Sequence, residues 1–335
     1  MRLSVVLPVY NEPDGVAETV ATVAAALAAA PALAPAEFVI ADDGSTVDVA
    51  GPARAAAGDV PVRVARLDRN SGRFEARRHG LEAAAGDLVL FVDAGIELEP
   101  GSLAFLAPRI ADGRSVWNGD VLIDAGANPF ALFWKAVCAL AFAIYLDDPR
   151  ETSFGIEEFE PFPKGTGCFL APRALLLESF AAFRSVYGDT RFANDDGPII
   201  RYIAERRRIN IAPGFRCVYR PRRNLRSFVR HAFHRGSVFV DGHGHRESRF
   251  FPAVIAFFPA SIVLALATAR RPAVAPVTAV ATIAATATVG IAKRRPPREV
   301  AALAGLMPVY LAAHGVGMWR GLALAVQARA RSWRA

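Results

Sequence analysis

The sequence predicts an α/β domain with a mostly parallel sheet flanked by helices, followed by hydrophobic helices long enough to cross a membrane. Over residues 1–101, apolar strand-like runs alternate with helical segments, which is typical of a parallel sheet. Polar residues follow these runs at their ends. Later in the chain, uncharged stretches of about 20 residues follow one another. We therefore expect one folded domain over residues 1–245 and membrane-associated helices over residues 246–335.

The first half of the folded domain is predicted to contain strands separated by helices. The strand segments are short, apolar and rich in β-branched residues, whereas the helical segments are rich in alanine. This order and spacing are typical of βαβ units, in which the strands run parallel. The expected strands are 3–10, 37–41, 60–67 and 87–92, and the expected helices are 16–30, 52–57 and 75–85.

Polar side chains stand at the carboxyl end of each of these strands. In open parallel sheets, ligands bind beyond the carboxyl ends, where the following loops gather. The sequence therefore predicts a binding site at this edge of the sheet. The residues concerned are Pro8, Tyr10 and Glu12 at the end of the first strand, Asp42 and Asp43 at the end of the second, Asn70 and Gly72 after the third, and Asp93 after the fourth.

The second half of the domain is less regular. Residues 129–146 are apolar but contain Lys135, and at about 17 residues they favour a buried or interfacial helix, with a spanning helix as the alternative. Residues 164–177 predict a glycine-rich turn, a short strand and the start of a helix. Residues 192–204 predict an acidic loop leading into an amphipathic helix, and residues 209–219 predict a strand.

Apolar stretches near the C-terminus account for much of the hydrophobic content of the chain, which is 53%. Residues 250–269 and 273–292 carry no charge and are expected to span a membrane, whereas residues 300–318 either span it or lie in its interface. The basic segment 293–298 favours the cytoplasmic side by the positive-inside rule. Two spans before it place the folded domain on that side too. The alternative is a helical domain buried in protein.

Charge and cysteine content limit the classes of function. The formal net charge of +7 suits anionic partners such as nucleotide phosphates or lipid headgroups. The basic blocks lack interleaved aromatic residues, so nucleic acid is not an expected partner. Cys138, Cys168 and Cys217 form no CxxC motif, which argues against a zinc site or a disulfide framework. No GxGxxG follows the first strand, which argues against a dinucleotide-dependent oxidoreductase.

Several short motifs occur in a characteristic order. They are SVVLPVYNE at 4–12, ADDGST at 41–46, Asn70-Ser71-Gly72 followed by Ala76-Arg77 and Gly80, and Val92-Asp93-Ala94. Together they resemble the family 2 glycosyltransferases, which are nucleotide-sugar-dependent enzymes with a Rossmann-like GT-A fold. The resemblance is dense over residues 1–101 and looser to about residue 245. It implies a nucleotide-binding half over 1–101 and an acceptor half over 102–245.

The resemblance implies roles for the residues at the strand ends. Pro8, Tyr10 and Glu12 would line the nucleotide base and ribose. Asp42 would accept a hydrogen bond from the base, which favours uracil, and Asp43 would either do this instead or support its loop. A nucleotide diphosphate needs such an edge-reading carboxylate, an aromatic or apolar wall, and positive charge for its phosphates.

Further along, the resemblance implies contacts with the diphosphate and a metal ion. Asn70 and Gly72 belong to the donor-binding loop, and Arg77 would approach the pyrophosphate. Asp93 would lie near the diphosphate and its Mg²⁺ or Mn²⁺ ion. The family usually has a second acid two residues later, where this chain has Gly95. The carboxylate of Glu97 is a candidate to replace it.

The acceptor half must supply a general base, because inverting transfer is a single displacement in which the acceptor hydroxyl loses a proton. Asp195 and Asp196 occupy the place of the acidic pair of the family. Counting to the following apolar residues favours Asp196, and a one-residue shift would make the base Asp195. The competing interpretation of this pair is a helix N-cap.

A basic segment at residues 227–236 resembles the region of the family that closes over the diphosphate. Arg230, His234 and Arg235 are the candidates to neutralise phosphate oxygens. Histidines stand where the family has Gln and Arg, and no Trp follows, which argues against a processive polysaccharide synthase. The alternative is a juxtamembrane basic helix that docks on anionic lipid headgroups.

The resemblance implies an inverting glycosyltransferase of the hexosyltransferase type at the cytoplasmic face of a membrane. Its donor would be a nucleotide diphosphate sugar, with a UDP-sugar favoured, and its acceptor a hydroxyl or phosphate. The C-terminal apolar stretches favour a lipid-linked acceptor over a soluble glycan. The competing hypothesis, motivated by Gly95, is a degenerate, non-catalytic transferase that serves as a membrane-anchored module for binding a nucleotide or a partner.

Overall fold

The computed structural model describes residues 2–221, 224–246 and 248–332. The chain forms two compact units that interleave along the sequence. The expected domain boundary at residue 245 does not coincide with a boundary between these units, because a helix over Leu225–His243 groups with the apolar C-terminal helices. The first unit comprises Met1–Leu122, Phe142–Phe183 and Asp195–Arg220, and the second comprises Ile123–Ala141, Arg184–Asn194 and Pro221–Ala335.

The first part of the first unit alternates strands and helices as predicted. Pro13 begins the first helix at a position where its missing N–H costs no hydrogen bond. Gly72, with a φ of 93°, turns the chain into the third helix. The elements are β1 (Leu3–Val9), α1 (Pro13–Ala28), β2 (Ala36–Asp42), α2 (Ala50–Ala56), β3 (Val62–Arg66), α3 (Arg73–Ala83) and β4 (Leu88–Val92).

The chain then continues with shorter strands and helices. The apolar segment 129–146 is divided into two helices, and each is too short to cross a membrane. The elements are β5 (Ile96–Leu98), α4 (Ser102–Ala111), β6 (Trp117–Asn118), β7 (Asp120–Ile123), α5 (Pro129–Ala141), α6 (Ala143–Leu146), β8 (Thr152–Phe154), β9 (Cys168–Pro172), α7 (Arg173–Ala182), α8 (Asp196–Ala204), β10 (Ile209–Ile211) and β11 (Arg216–Tyr219).

An eight-stranded sheet in the order β3-β2-β1-β4-β9-β6-β10-β8 forms the centre of the first unit. The pairs among β1 to β4 are parallel, whereas β9 runs antiparallel to both β4 and β6, and β8 runs antiparallel to β10. The predicted, mostly parallel sheet is thus confirmed. A smaller sheet in the order β5-β11-β7 lies in the same unit.

The core of the first unit explains why these segments are strands. Val5, Leu7, Ile40 and Leu90 are fully buried, and α1 packs its apolar face into the same cluster. Central parallel strands are buried on both faces, so they appear in the sequence as continuous apolar runs. Each buried side chain of this size contributes about 1.5–3 kcal/mol by removal from water.

The second unit is helical. Its helices, besides α5, are α9 (Leu225–His243), α10 (Phe251–Arg270), α11 (Val274–Ala292) and α12 (Pro297–Ser332). By length and composition, α10, α11 and the segment Pro297–Arg331 of α12 can each cross a membrane, and most of the surface of α10 and α11 is exposed. Glycines bring α9 and α12 close together: a Cβ on Gly317 would lie 2.1 Å from the carbonyl oxygen of Phe233.

Candidate active site

The carboxyl ends of the parallel strands meet at one edge of the large sheet. Val9 of β1 lies beside Asp42 of β2, and Asp42 lies beside Arg66 of β3. Asp93 directly follows β4, and its N–H donates to the carbonyl oxygen of Gly167 at 2.9 Å. The polar residues that the sequence predicted for a binding site therefore gather along this edge.

The loop after β1 presents an aromatic ring at this edge. Pro8 is half-buried in the strand, whereas Tyr10 keeps 42% of its surface exposed. Glu12 is exposed at the start of α1, and its side chain makes no capping hydrogen bond. The N–H of Asn11 donates to the hydroxyl oxygen of Ser45 at 3.0 Å. The loop that carries Tyr10 is thus braced on the loop that follows β2.

Asp42 is buried and engaged on both oxygens. Its Oδ1 accepts a hydrogen bond from the N–H of Ser45 at 2.8 Å. Its Oδ2 accepts one from Nη1 of Arg66 at 2.5 Å, and Nη2 of Arg66 donates to the carbonyl oxygen of Ser45 at 2.6 Å. Asp42 is only 2% exposed, whereas the Arg66 side chain is 55% exposed. The guanidinium of Arg66 therefore covers this carboxylate.

Asp43 holds the loop that follows β3. Its two carboxylate oxygens accept hydrogen bonds from the N–H groups of Ser71 and Gly72, at 2.6 and 2.9 Å. These bonds fix the backbone just before α3 begins, and Asn70 lies half-buried in the same loop. Of the two roles implied for Asp43, the support of its loop has these direct contacts behind it.

Arg77 on α3 joins three carboxylates at the centre of the edge. Its Nη2 donates to both oxygens of Asp93 at 2.7 and 2.9 Å. Its Nη1 donates to Asp195 at 2.9 Å and to Asp196 at 3.2 Å. Burial lowers the pKa of Arg77, but the carboxylates, Asp93 foremost, raise it by more. The group therefore stays charged although its side chain is only 1% exposed.

Arg73 adds a second cation from the preceding turn of α3. Its Nε donates to Asp195 at 2.9 Å, and its Nη2 lies 3.6 Å from an oxygen of Asp196. The charge of Asp195, and then that of Asp196, raises the pKa of Arg73. Arginines at i and i+4 lie on one face of a helix, so both can reach the same carboxylates. The cluster of Arg73, Arg77, Asp93, Asp195 and Asp196 is called the Arg–Asp network below.

The two acids at the start of α8 differ in access. Asp195 has no exposed side-chain surface, whereas the side chain of Asp196 is 32% exposed. The hydroxyl of Thr166 donates to Asp196. Burial raises the pKa of Asp196, but the charges of Arg73 and Arg77 outweigh it and hold the pKa below its ordinary value. Asp195 stands at the N-cap position, yet its side chain makes no capping hydrogen bond.

The fit of a divalent ion depends on Asp93. Its carboxylate is 37% exposed and already bonded to Arg77. Gly95 has a φ of 83°, and the side chain of Glu97 contacts Arg220. Among the residues that the structure describes, no three His, Cys, Asp or Glu side chains form a group that could hold an ion. The donor set fits an ion with one protein carboxylate whose other ligands are phosphates and waters, which Mg²⁺ accepts.

The predicted phosphate-neutralising residues lie in the second unit. Arg230, His234 and Arg235 are solvent-exposed on α9. The guanidinium carbon of Arg235 lies 5.1 Å from the centre of the Trp134 ring, within range of a cation–π contact. Their role in donor binding stays a prediction.

Sequence reasoning missed three residues at this edge. Arg73 carried a usable signal, because it stands four residues before Arg77, although it lies just ahead of the predicted helix 75–85 and inside the observed one. Arg66 lies in a strand with an alternating pattern, and this pattern does not distinguish Arg66 from a solvent-facing residue. Thr166 lies in a glycine-rich turn, and its contact with Asp196 is 30 residues away in sequence. Nothing local predicts that pairing.

Comparison with known proteins finds similarity to glycosyltransferases over the first part of the chain. Residues 4–133 match the model of glycosyl transferase family 2, the family that the motifs resemble. An undecaprenyl-phosphate 4-deoxy-4-formamido-L-arabinose transferase from Pseudomonas aeruginosa is 39% identical over 117 residues, which cover 34% of each chain. A dolichol-phosphate mannosyltransferase from Pyrococcus furiosus is 27% identical over 126 residues, 38% of this chain and 35% of the relative. The chain thus spans about a third of the length of these curated relatives.

Solved structures confirm the GT-A fold. The mannosyltransferase PcManGT from Pyrobaculum calidifontis, solved with GDP-Man and Mn²⁺, superposes with a TM-score of 0.56 at 18% identity. That match covers 95% of this chain and 86% of PcManGT. TarS from S. aureus superposes with a TM-score of 0.50 at 16% identity, over 74% of this chain and 44% of TarS. At this identity, the likeness concerns the fold alone.

Proposed function

We propose that this protein is an inverting glycosyltransferase that uses a nucleotide diphosphate sugar and acts at a membrane. The observation that carries the proposal is the Arg–Asp network at the carboxyl edge of the sheet. It places an accessible carboxylate, that of Asp196, 3.2 Å from the guanidinium of Arg77 and 3.6 Å from that of Arg73. Transfer of a sugar away from a diphosphate needs positive charge for the leaving group, and a hydroxyl acceptor also needs a base.

The reaction would be a single displacement at the anomeric carbon. The acceptor oxygen forms a bond to that carbon as the bond to the diphosphate breaks, and the configuration inverts. A hydroxyl acceptor gives its proton to Asp196, whereas an ionised phosphate acceptor has no proton to lose. Arg73 and Arg77 stabilise the negative charge that develops on the departing diphosphate.

Asp196 is the better candidate for the base, because Asp195 is fully buried between Arg73 and Arg77. When no donor is bound, the two arginines lower the pKa of Asp196, so this carboxylate is a weak base. A bound diphosphate would share their charge and raise this pKa toward its ordinary value. The base would thus strengthen when the donor is present.

A divalent ion is part of the proposal in a limited form. Asp93 would hold Mg²⁺ or Mn²⁺ together with the donor phosphates, and Glu97 is the second candidate ligand. When bound, such an ion neutralises charge on the leaving diphosphate. The neighbour PcManGT was solved with Mn²⁺ and GDP-Man, which supports an ion and leaves the nucleotide open. The resemblance favoured UDP through Asp42 as the partner of the base, but both oxygens of Asp42 are bonded within the protein, so the proposal leaves the choice of nucleotide open.

The acceptor is proposed to be lipid-linked. The names of the relatives refer to undecaprenyl phosphate and dolichol phosphate, which are lipid phosphates. The apolar helices α10, α11 and α12 can place the domain at a bilayer. Lys293, Arg294 and Arg295 between α11 and α12 favour the cytoplasmic side for that loop, and with it for the folded domain.

A transfer assay with the full chain in detergent or lipid nanodiscs tests the proposal. Nucleotide sugars carrying UDP, GDP or other nucleotides are offered, in separate reactions, with a polyprenyl phosphate and with a lipid-linked acceptor that has a free hydroxyl, with and without Mg²⁺ or Mn²⁺. We expect turnover with at least one donor. Because general-base catalysis contributes about 10²–10⁴-fold, Asp196→Asn should lower the rate with a hydroxyl acceptor by about that factor without preventing donor binding.

The same assay separates the alternatives. If Asp196→Asn and Asp195→Asn both retain the wild-type rate with a hydroxyl acceptor, the base assignment is wrong. Donor binding without turnover for every donor would instead support the non-catalytic binding module. If no nucleotide sugar binds, the transferase proposal fails altogether.

A further inference from the structure

Arg66 lies at the carboxyl edge of the sheet, at the end of β3, beside the residues implied to bind the nucleotide (the nucleotide end of the edge). It has no role in the chemistry proposed above. It is the last residue of β3, and its side chain is 55% exposed. Its two terminal nitrogens are each anchored, Nη1 on Asp42 and Nη2 on the carbonyl oxygen of Ser45. A guanidinium fixed at two points has a defined orientation, and its other N–H groups remain available to a ligand.

Asp42 itself is poorly placed to read a ligand. It is 2% exposed, and both of its oxygens accept hydrogen bonds from the protein. The group that meets solvent at this point of the edge is therefore the guanidinium. Asp42 acts on it as a positioning residue, because its charge and its hydrogen bond hold Arg66 in place.

We propose that Arg66 selects the nucleotide base of the donor. The inference rests on the proposed function, since it concerns the donor site of the same enzyme. A guanidinium offers only hydrogen-bond donors, so it favours a base that presents a carbonyl oxygen at its edge. Uracil presents O4 and guanine presents O6 on the part of the edge away from the sugar, whereas the carbonyl oxygen of cytosine, O2, lies next to the ring nitrogen that carries the sugar. Cytosine and adenine present an amino group at the corresponding position, and two donors cannot pair.

The register of the sheet supports this placement. Tyr10 follows Val9, which lies beside Asp42, and Asp42 lies beside Arg66. Neighbouring strands are about 4.8 Å apart, so about 10 Å separates the backbones that carry Tyr10 and Arg66. Both side chains are exposed, and they lie two strands apart at the same edge of the sheet. A base against the exposed Tyr10 ring would therefore meet the guanidinium with its edge.

The test measures the binding of UDP, GDP, CDP and ADP to the purified full chain by calorimetry. We expect UDP or GDP to bind at least about tenfold more tightly than CDP and ADP, because a matched guanidinium–base contact discriminates by about that factor or more. Arg66→Ala should bring the affinities together. Arg66→Lys, which keeps a cation without the fixed fork, should restore only part of the preference.

Arg63→Ala is the matched control. Arg63 lies on the same strand, is 54% exposed, and pairs with Glu37 at 3.8 Å, away from the carboxyl end. It should leave the preference unchanged. Thermal unfolding shows whether each variant is folded, and the ratio of affinities is insensitive to a loss of active protein.

The outcomes separate the inference from the proposed function. If the wild type binds all four nucleotides equally, or if Arg66→Ala keeps the wild-type preference, Arg66 does not select the base, while a transferase remains possible. If none of the four binds, the donor site itself is refuted, and the inference fails with it.

Discussion

Two groups of carboxylates lie on the same edge of the sheet and are held in different ways. At the nucleotide end, Asp43 is held by the backbone N–H groups of Ser71 and Gly72. In the Arg–Asp network, Asp195 and Asp196 accept hydrogen bonds from the side chains of Arg73, Arg77 and Thr166. Backbone donors are neutral and fixed, so they determine the shape of a loop. Guanidinium donors carry charge that a diphosphate can share.

This difference predicts how the removal of each group should affect the stability of the protein. When a carboxylate bonded to backbone N–H groups is removed, the loop that it held loses its fixed geometry, but no uncompensated charge is left behind. A guanidinium bonded to three carboxylates leaves negative charge uncompensated when it is removed. The network contains two arginines and three aspartates, so its net charge is 2 − 3 = −1 already in the intact protein. Replacing either arginine makes it more negative.

The largest expected effect follows the removal of Arg77. Arg77→Ala should lower the free energy of unfolding by about 3–5 kcal/mol, because Asp195 is left buried with only part of its compensation. The measurement is denaturant unfolding of the full chain. Arg78→Ala is the control on the same helix, since Arg78 pairs with Glu75 and Glu82 at the surface. Its loss should cost less than about 1 kcal/mol. Equal costs for both variants would contradict the central role of Arg77.

A smaller effect is expected at the backbone-held end. Asp43→Ala should lower stability by about 1–3 kcal/mol, because two N–H groups lose their acceptor. Donor affinity should also fall, since the loop before α3 loses its fixed shape. Asp48→Ala is the control: Asp48 likewise accepts from two backbone N–H groups, those of Ala50 and Gly51, at an exposed position. A variant of Asp43 that binds donor as well as the Asp48 variant does would refute the role of this loop.

The smallest effect concerns acid stability. The arginines hold the pKa of Asp196 below its ordinary value of 3.8. A lowered folded-state pKa contributes stability that is present above the unfolded pKa and is lost as the pH falls toward the folded-state value. Wild-type protein should therefore lose more stability below about pH 4 than Asp196→Asn does. Unfolding midpoints measured between neutral pH and about pH 3 test this. Parallel curves for the two proteins would show that Asp196 is not paired with the arginines in solution.

Much of the fold could be predicted because its signals are local. Buried parallel strands are continuous apolar runs, so β1, β2 and β4 were recognisable, although their ends differ by a residue or two. The antiparallel course of β9 could not be predicted, because it depends on which strand it meets. The grouping of α9 with the apolar helices likewise results from packing through glycines such as Gly317.

The same distinction between local signals and long-range pairing applies to the candidate active site. The sequence by itself determined which acids follow the strands, because a strand that ends at a polar residue places it at the edge of the sheet. Only the tertiary structure decided which cation each acid meets. The resemblance implied that Arg77 approaches the pyrophosphate, but it gave no sign of the bond between Arg77 and Asp195, 118 residues away in sequence. Such pairings have no local signature, because they depend on where the folded chain brings its charges together and on the high cost of burying a charge without a partner.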